Sequence, residues 1–208
     1  MNNPKIKVCG MTSLAQVAQL TAIGVDYAGF IFYEKSPRFV GNKINPADLK
    51  VLTGLKKVGV FVNETEENIL NAVDRYGLDM VQLHGDEPPQ FYDRLKSKAD
   101  VIKVLRVQGN ENLNDLLAPH HHAHYFLFDT KAGAYGGTGK KFDWSVLESQ
   151  HFTRPYFLSG GIGAGDTEQV KAFTAANTVF ALDINSKFET APGVKDIQMI
   201  QEFVKMIR

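Results

Sequence analysis

Two side chains in this sequence have the chemistry to exchange a proton with a substrate. Cys9, in the stretch IKVCGMT, ends a short apolar run and directly precedes a glycine. It is the single cysteine of the chain, so it forms no intramolecular disulfide and fits a reducing compartment. The ordinary fate of a free cysteine is that of a small buried hydrophobe. Here a helix start capped near Ser13 follows it, and the macrodipole at such a start favours thiolate over thiol. Asp129 ends the apolar run YFLFD, where partial desolvation raises a carboxyl pKa and keeps a proton available for donation. Its ordinary alternative is a helix cap or an ion-pair partner. A base and an acid on opposite sides of one pocket suffice to move a proton.

A third signal concerns an anion. The loop SGGIGAGDT, Ser159 to Thr167, joins an apolar run to a helical segment. Its glycines let backbone N–H groups approach a ligand, and the helix start that follows favours negative charge, so the loop reads as a phosphate site rather than a merely tight turn. Other stretches carry less. AYGGTGKK, Ala134 to Lys141, lacks the spacing of a Walker A loop and reads as a glycine-hinged lid. HHHAH, His120 to His124, could hold a metal ion but precedes a strand, and reads as a solvated loop. Asp86 and Pro88 look like helix-start residues, and Trp144, after a cap at Asp143, like a packing residue.

What positions these groups is an alternation of strand and helix. Eight short apolar runs, rich in β-branched and aromatic residues, begin at Ile6, Tyr27, Val58, Met80, Val101, Tyr125, Tyr156 and Val179. Helical segments lie between them. Ser13 with Gln16, Asn63 with Glu66, and Asp166 with Gln169 read as helix-start pairs, and Ile197, Ile200, Val204 and Ile207 mark a final helix. This pattern predicts one α/β domain over residues 1–208, a single (β/α)8 TIM barrel. A doubly wound open sheet fits less well, because its glycine-rich turn would follow the first strand rather than the seventh. In a barrel, the C-terminal strand ends share one rim. That rim collects Cys9, the loop with Arg38, Asn63, Gln82 and His84, Arg106, Asp129 and Asp183.

Composition limits the partners. Lys plus Arg balances Asp plus Glu at 23 each, which asks for neither nucleic acid nor an anionic membrane. The start MNNPKIKVCGMT lacks the regions of a secretory signal, and no apolar run approaches the roughly 20 residues of a spanning helix. A cytoplasmic enzyme, monomer or homodimer, is expected.

Taken together, KVCGMT, GFIFYEKSPR, VGVFVN, VQLHGDE, FDTKAGAYGGTGKKFDW, LSGGI and LDINSKFETAPGVKD, in that order, resemble the phosphoribosylanthranilate isomerases of tryptophan biosynthesis nearly end to end. The resemblance implies a phosphosugar substrate and an Amadori rearrangement that needs no cofactor and no metal. It makes Asp129 the general acid and Cys9 the general base, and pairs Arg38 with the anthranilate carboxylate. It gives the phosphate to Gly160, Gly161, Asn185 and Ser186, and the sugar to Asp183, with Gln82 and His84 as further substrate contacts. One departure stands out: the family commonly has Ser-Ser-Gly where this chain has Asn185, Ser186 and Lys187, so a glycine suited to positive φ is lost. Two rival readings are another phosphosugar barrel enzyme, such as indole-glycerol-phosphate synthase, and a barrel that binds phosphosugars without catalysis. The first offers a catalytic lysine where this chain has Cys9, and the second needs neither Cys9 nor Asp129.

Overall fold

Each of the eight apolar runs forms a strand. In the computed structural model, which describes residues 3–109, 111–130, 142–148 and 150–208, these are β1 (Lys5–Val8), β2 (Tyr27–Ile31), β3 (Lys56–Phe61), β4 (Met80–Leu83), β5 (Asp100–Val107), β6 (Tyr125–Thr130), β7 (Tyr156–Leu158) and β8 (Ala181–Ile184). All pair in parallel with their sequence neighbours, and β8 returns to β1 with Lys7 opposite Asp183, so the sheet closes into a barrel and leaves no edge among these strands. The crossovers contain the helices α1 (Leu14–Ala22), α2 (Pro46–Val51), α3 (Glu66–Tyr76), α4 (Phe91–Leu95), α5 (Leu113–Leu117), α6 (Ser145–Glu148) and α7 (Thr167–Ala176), and α8 (Ile197–Ile207) follows the barrel. Between β8 and α8 lies a small antiparallel hairpin, β9 (Glu189–Ala191) and β10 (Val194–Lys195).

Side-chain alternation decides what faces the barrel axis. Tyr27, Val58, Met80, Leu127, Phe157 and Ala181 form an interior cluster separate from the larger core under the helices. Successive side chains of a strand point to opposite faces, so residues two further along share the interior. That step leads from Met80 to Gln82 and His84, from Leu127 to Asp129, from Phe157 to Ser159, and from Ala181 to Asp183. On β1 the same parity places Lys7 and Cys9 together. The apolar layer is therefore the floor on which the polar rim stands.

Several helix starts differ in detail from the sequence reading, some of them because a distant segment supplies a better partner. Ser13 is the N-cap residue of α1 but makes no side-chain cap bond, and Gln16 instead bonds the backbone of Lys195 in both directions, at 2.8 and 3.1 Å. Those two bonds fasten β10 to α1. Thr65, not Asn63, caps α3. Asn63 adopts φ 52° and its side chain accepts from the Asp86 amide at 2.7 Å, tying two rim loops together. Asp166 turns its carboxylate to the Gly163 amide at 2.7 Å, stabilising the turn before α7. Asp86 lies ahead of α4 and pairs with Arg106 at 2.9 Å. Trp144 packs edge-on against Phe173, and Asp143 accepts from the Ser145 amide.

Candidate active site

The rim encloses a cavity of about 290 Å³ lined by Cys9, Arg38, Gln82, His84, Asp129, Ser159, Gly160, Gly161, Asp183, Asn185 and Ser186, with aliphatic walls from Ile31, Val60 and Val62. Cys9 is 5% exposed, and its amide continues the β1–β8 ladder by donating to Ile184 O at 2.9 Å. Burial pushes its thiol pKa up. Opposing this, in the order of their effect, stand the ammonium of Lys7 and, beyond the contrary charge of Asp183, that of Lys195. Two buried lysines thus face the thiol in addition to the start of α1 at Leu14, and the thiol pKa is raised overall rather than lowered as expected.

Across the barrel, burial raises the carboxyl of Asp129 to about 6, against the lowering effect of the Thr130 amide that bonds it at 2.8 Å. At neutral pH a carboxyl of that pKa is still protonated in roughly a tenth of molecules. His84 lies beside it, Nε2 to Oδ2, at 3.5 Å. Its own pKa falls to about 3, first through burial and then through the charges of Lys7, Arg106 and Lys103, so the ring is neutral at physiological pH. Gln82 Nε2 approaches His84 Nδ1 at 3.4 Å, which makes Nδ1 the acceptor and leaves the ring proton on Nε2, facing Asp129. A neutral donor of this kind stabilises the carboxylate that remains after Asp129 gives up its proton. Gln82 is 1% exposed, and its Oε1 has no hydrogen-bond partner among the described residues. A buried carbonyl left unsatisfied in a cavity wall is suited to a ligand donor.

On one side of the cavity the Arg38 guanidinium is clamped by Glu189. Nε donates to Oε1 and Oε2 at 2.9 and 3.0 Å, and Nη2 donates to Oε2 at 2.7 Å. Lys195 supports the clamp by donating to Glu189 Oε1 and Asn185 Oδ1 at 2.7 and 2.8 Å. Burial alone would raise the Glu189 carboxyl, but the hydrogen bonds from Arg38 and Lys195 hold it below the usual range. The Nε edge of the guanidinium is therefore occupied, while its outer edge, Nη1 with the second N–H of Nη2, is the fork geometry that receives a carboxylate. Gly10 makes the approach possible: at φ +78° it has no side chain, and a Cβ there would lie 2.6 Å from Arg38 Cδ and 2.9 Å from Asn185 Oδ1.

The other side is a backbone cradle. Gly160 and Gly161 take φ +90° and +69° in succession, a turn that residues with a Cβ rarely adopt, and they lead through a short turn into α7. Ser159 donates to Asp183 O at 3.3 Å and so joins the loops after β7 and β8. Lys187 lies within a short helical turn, Ser186–Phe188, and Asn63 is the only non-glycine with positive φ among the described residues. The loop after β8 accordingly forms without the family's glycine. The arrangement is a carboxyl and a thiol facing one cavity, with an arginine fork and a glycine turn beside them.

The chain matches the family model described as N-(5'phosphoribosyl)anthranilate (PRA) isomerase over residues 6–206. The chain belongs to that family. It is 38% identical to the N-(5'-phosphoribosyl)anthranilate isomerase of Parabacteroides distasonis, over 97% of this chain and 92% of that protein. Among solved structures, it superposes on phosphoribosyl anthranilate isomerase from Thermotoga maritima with a TM-score of 0.84 and 34% identity, over 98% of both chains. A phosphoribosyl anthranilate isomerase in complex with reduced 1-(o-carboxyphenylamino)-1-deoxyribulose 5-phosphate gives 0.77 and 30%, again over 98% of both.

Of the residues gathered on the rim from the sequence, this chain of the PRA isomerase family brings all to the one cavity, with Gly160, Gly161, Asn185 and Ser186, except two. Asn63 and Arg106 are rim residues outside the cavity wall, occupied in loop contacts. The histidine stretch lies at the other end of the barrel, where His124 accepts from the Val101 amide at 2.9 Å. No group of three or more His, Cys, Asp or Glu suited to a metal ion occurs among the described residues. The segment read as a lid, Ala134 to Lys141, falls outside the described residues. Lys7, Glu189 and Lys195 escaped the sequence reading. Only Lys7 left a signal there, a charged residue inside an apolar strand and two places before the cysteine.

Proposed function

We infer that this chain catalyses the isomerisation of N-(5-phosphoribosyl)anthranilate to 1-(2-carboxyphenylamino)-1-deoxyribulose 5-phosphate, an Amadori rearrangement in tryptophan biosynthesis. The observation that carries the mechanism is that Cys9 and Asp129, from strands β1 and β6, line the same cavity. Asp129 gives its proton to the furanose ring oxygen as the C1–O bond breaks, which opens the sugar to a protonated Schiff base. Cys9 as thiolate then removes the proton from C2, and the electron pair neutralises the iminium to form an enolamine. Ketone formation follows as C1 takes up one proton and the C2 hydroxyl releases one. The rearrangement neither consumes nor produces protons overall, so acid and base regain their starting states.

The remaining groups bind and orient. The outer edge of Arg38 receives the anthranilate carboxylate, with Glu189 fixing the plane of the fork. The amides of Gly160 and Gly161, with Asn185 and Ser186, hold the 5-phosphate, and Gln82 and Asp183 address the sugar. The aliphatic wall of Ile31, Val60 and Val62 suits an aromatic ring. Supplying freshly generated phosphoribosylanthranilate and following loss of its fluorescence tests the activity. Turnover by the wild-type protein is expected, and binding of the product analogue without turnover would instead favour a non-catalytic phosphosugar protein.

Arg38→Lys separates charge from geometry at the carboxylate. Lysine keeps the positive charge but loses the planar fork and the three bonds to Glu189, and a charged hydrogen bond contributes about 1.5–3 kcal/mol. KM is expected to rise at least about 10-fold while kcat changes less. Steady-state kinetics decides between this and an unchanged KM, which would remove Arg38 from carboxylate recognition.

A further inference from the structure

Lys7 is a buried cation that the acid–base scheme has not used. Its side chain is 0% exposed, and Nζ donates to Asp183 Oδ1 at 2.7 Å. It stands on the interior face of β1 two residues before Cys9, where its charge acts on that thiol while its ammonium bonds Asp183. Elsewhere the interior is filled by apolar side chains such as Val58, Met80 and Leu127. A buried ion pair is weak evidence for stability, because apolar residues of similar volume often serve equally well or better. Stability is thus a poor reason for a lysine at this layer.

Two charges meet the thiol from neighbouring strands and one from the hairpin: Lys7, Asp183 and Lys195. Asp183 opposes ionisation of Cys9, but its effect is smaller than that of Lys7. Lys195 is shared with Glu189 and Asn185, and Glu189 is shared in turn with Arg38. Of the three, only Lys7 shares the interior face of β1 with the sulfur.

We propose that Lys7 is a positioning residue for the reaction, the fixed counter-ion of the Cys9 thiolate, with Asp183 holding its ammonium in place. The proposal rests on the acid–base reading of Cys9 and Asp129. Acid and base share one proton near neutrality, and the working form has it on Asp129. By stabilising the thiolate, Lys7 sets the fraction of enzyme in that form. Asp183 then serves the sulfur indirectly as well as facing the sugar.

The test needs no substrate, because the chain has a single cysteine and its alkylation is site-specific. Iodoacetamide reacts with the thiolate, so its rate as a function of pH reports how much of Cys9 is ionised. The full-length protein is compared as wild type, Lys7→Met and Lys7→Met/Asp183→Asn, with near-ultraviolet circular dichroism as the folding check. The double variant removes both members of the ion pair, so no carboxylate is left unpaired, and it decides the question alone if Lys7→Met does not fold. Lys7→Met is expected to alkylate at least about 10-fold more slowly than wild type near neutrality, the effect of losing an adjacent opposite charge, and the double variant is expected to be slower than wild type by less, because the opposing charge of Asp183 goes too. A double variant that alkylates at the wild-type rate would overturn the proposal, since Lys7 would then only neutralise Asp183. Slow alkylation together with full turnover by Cys9→Ser would leave Lys7 as the thiol's counter-ion and remove the base assignment itself.

Discussion

Cys9→Ser is expected to lower kcat at least about 100-fold, the scale on which a positioned general base acts. Serine keeps the shape of the side chain and the amide bond to Ile184 O, so the β1–β8 ladder and the cavity wall are preserved. What it loses is ionisation: an alkoxide is far less accessible than a thiolate, even between the ammonium groups of Lys7 and Lys195. KM should change little, because Arg38 and the loop at Gly160 and Gly161 are untouched. Fluorescence loss of phosphoribosylanthranilate measures both constants, and a Cys9→Ser protein within about 3-fold of wild type would show that another group removes the C2 proton.

The second large effect is expected at Asp129. Asn has the same outline and can still accept the Thr130 amide, but it has no acidic proton to give to the ring oxygen. A loss of at least about 100-fold in kcat is predicted, again with substrate affinity nearly intact. His84 does not substitute as the acid, because its pKa of about 3 leaves it neutral. If Asp129→Asn retained full turnover, ring opening would need no protein acid, and the cavity's acid–base division would fail.

Much of this was written in the order of residues. The eight apolar runs predicted eight parallel strands because both faces of such strands are buried, and the period-2 alternation carried Gln82, His84, Asp129 and Asp183 to the interior. Phosphate-loop geometry was equally local, since consecutive glycines needing positive φ are visible as glycines. Contacts between distant segments were not visible. Lys7 meets Asp183 across 176 positions, and Arg38 meets Glu189 across 151. A lysine inside a strand reads as half of an alternating pattern until its partner is known. The hairpin carrying Glu189 and Lys195 has strands of three and two residues, too short for any periodic signal. Gln16 shows the same limit from the other direction: its spacing from Ser13 fits a helix cap, yet the backbone of Lys195 gives it better partners. The buried lysines beside the thiol went unread for this reason too, and burial overturned the expected lowering of its pKa.

The central claim is that Cys9 and Asp129 share one proton during catalysis, and the pH dependence of kcat/KM tests it most directly. Below the Asp129 pKa of about 6 both groups are protonated and no base is present, so the rate rises with pH. Above it the pair holds a single proton, a fixed fraction of which resides on Asp129 with Cys9 ionised, so the rate stays level through neutrality until the raised thiol pKa is reached. In Asp129→Asn only the thiol titrates. The account predicts a wild-type limb near pH 6 that is absent from the residual activity of Asp129→Asn, which instead climbs steadily toward alkaline pH. A limb at the same pH in both proteins would contradict it.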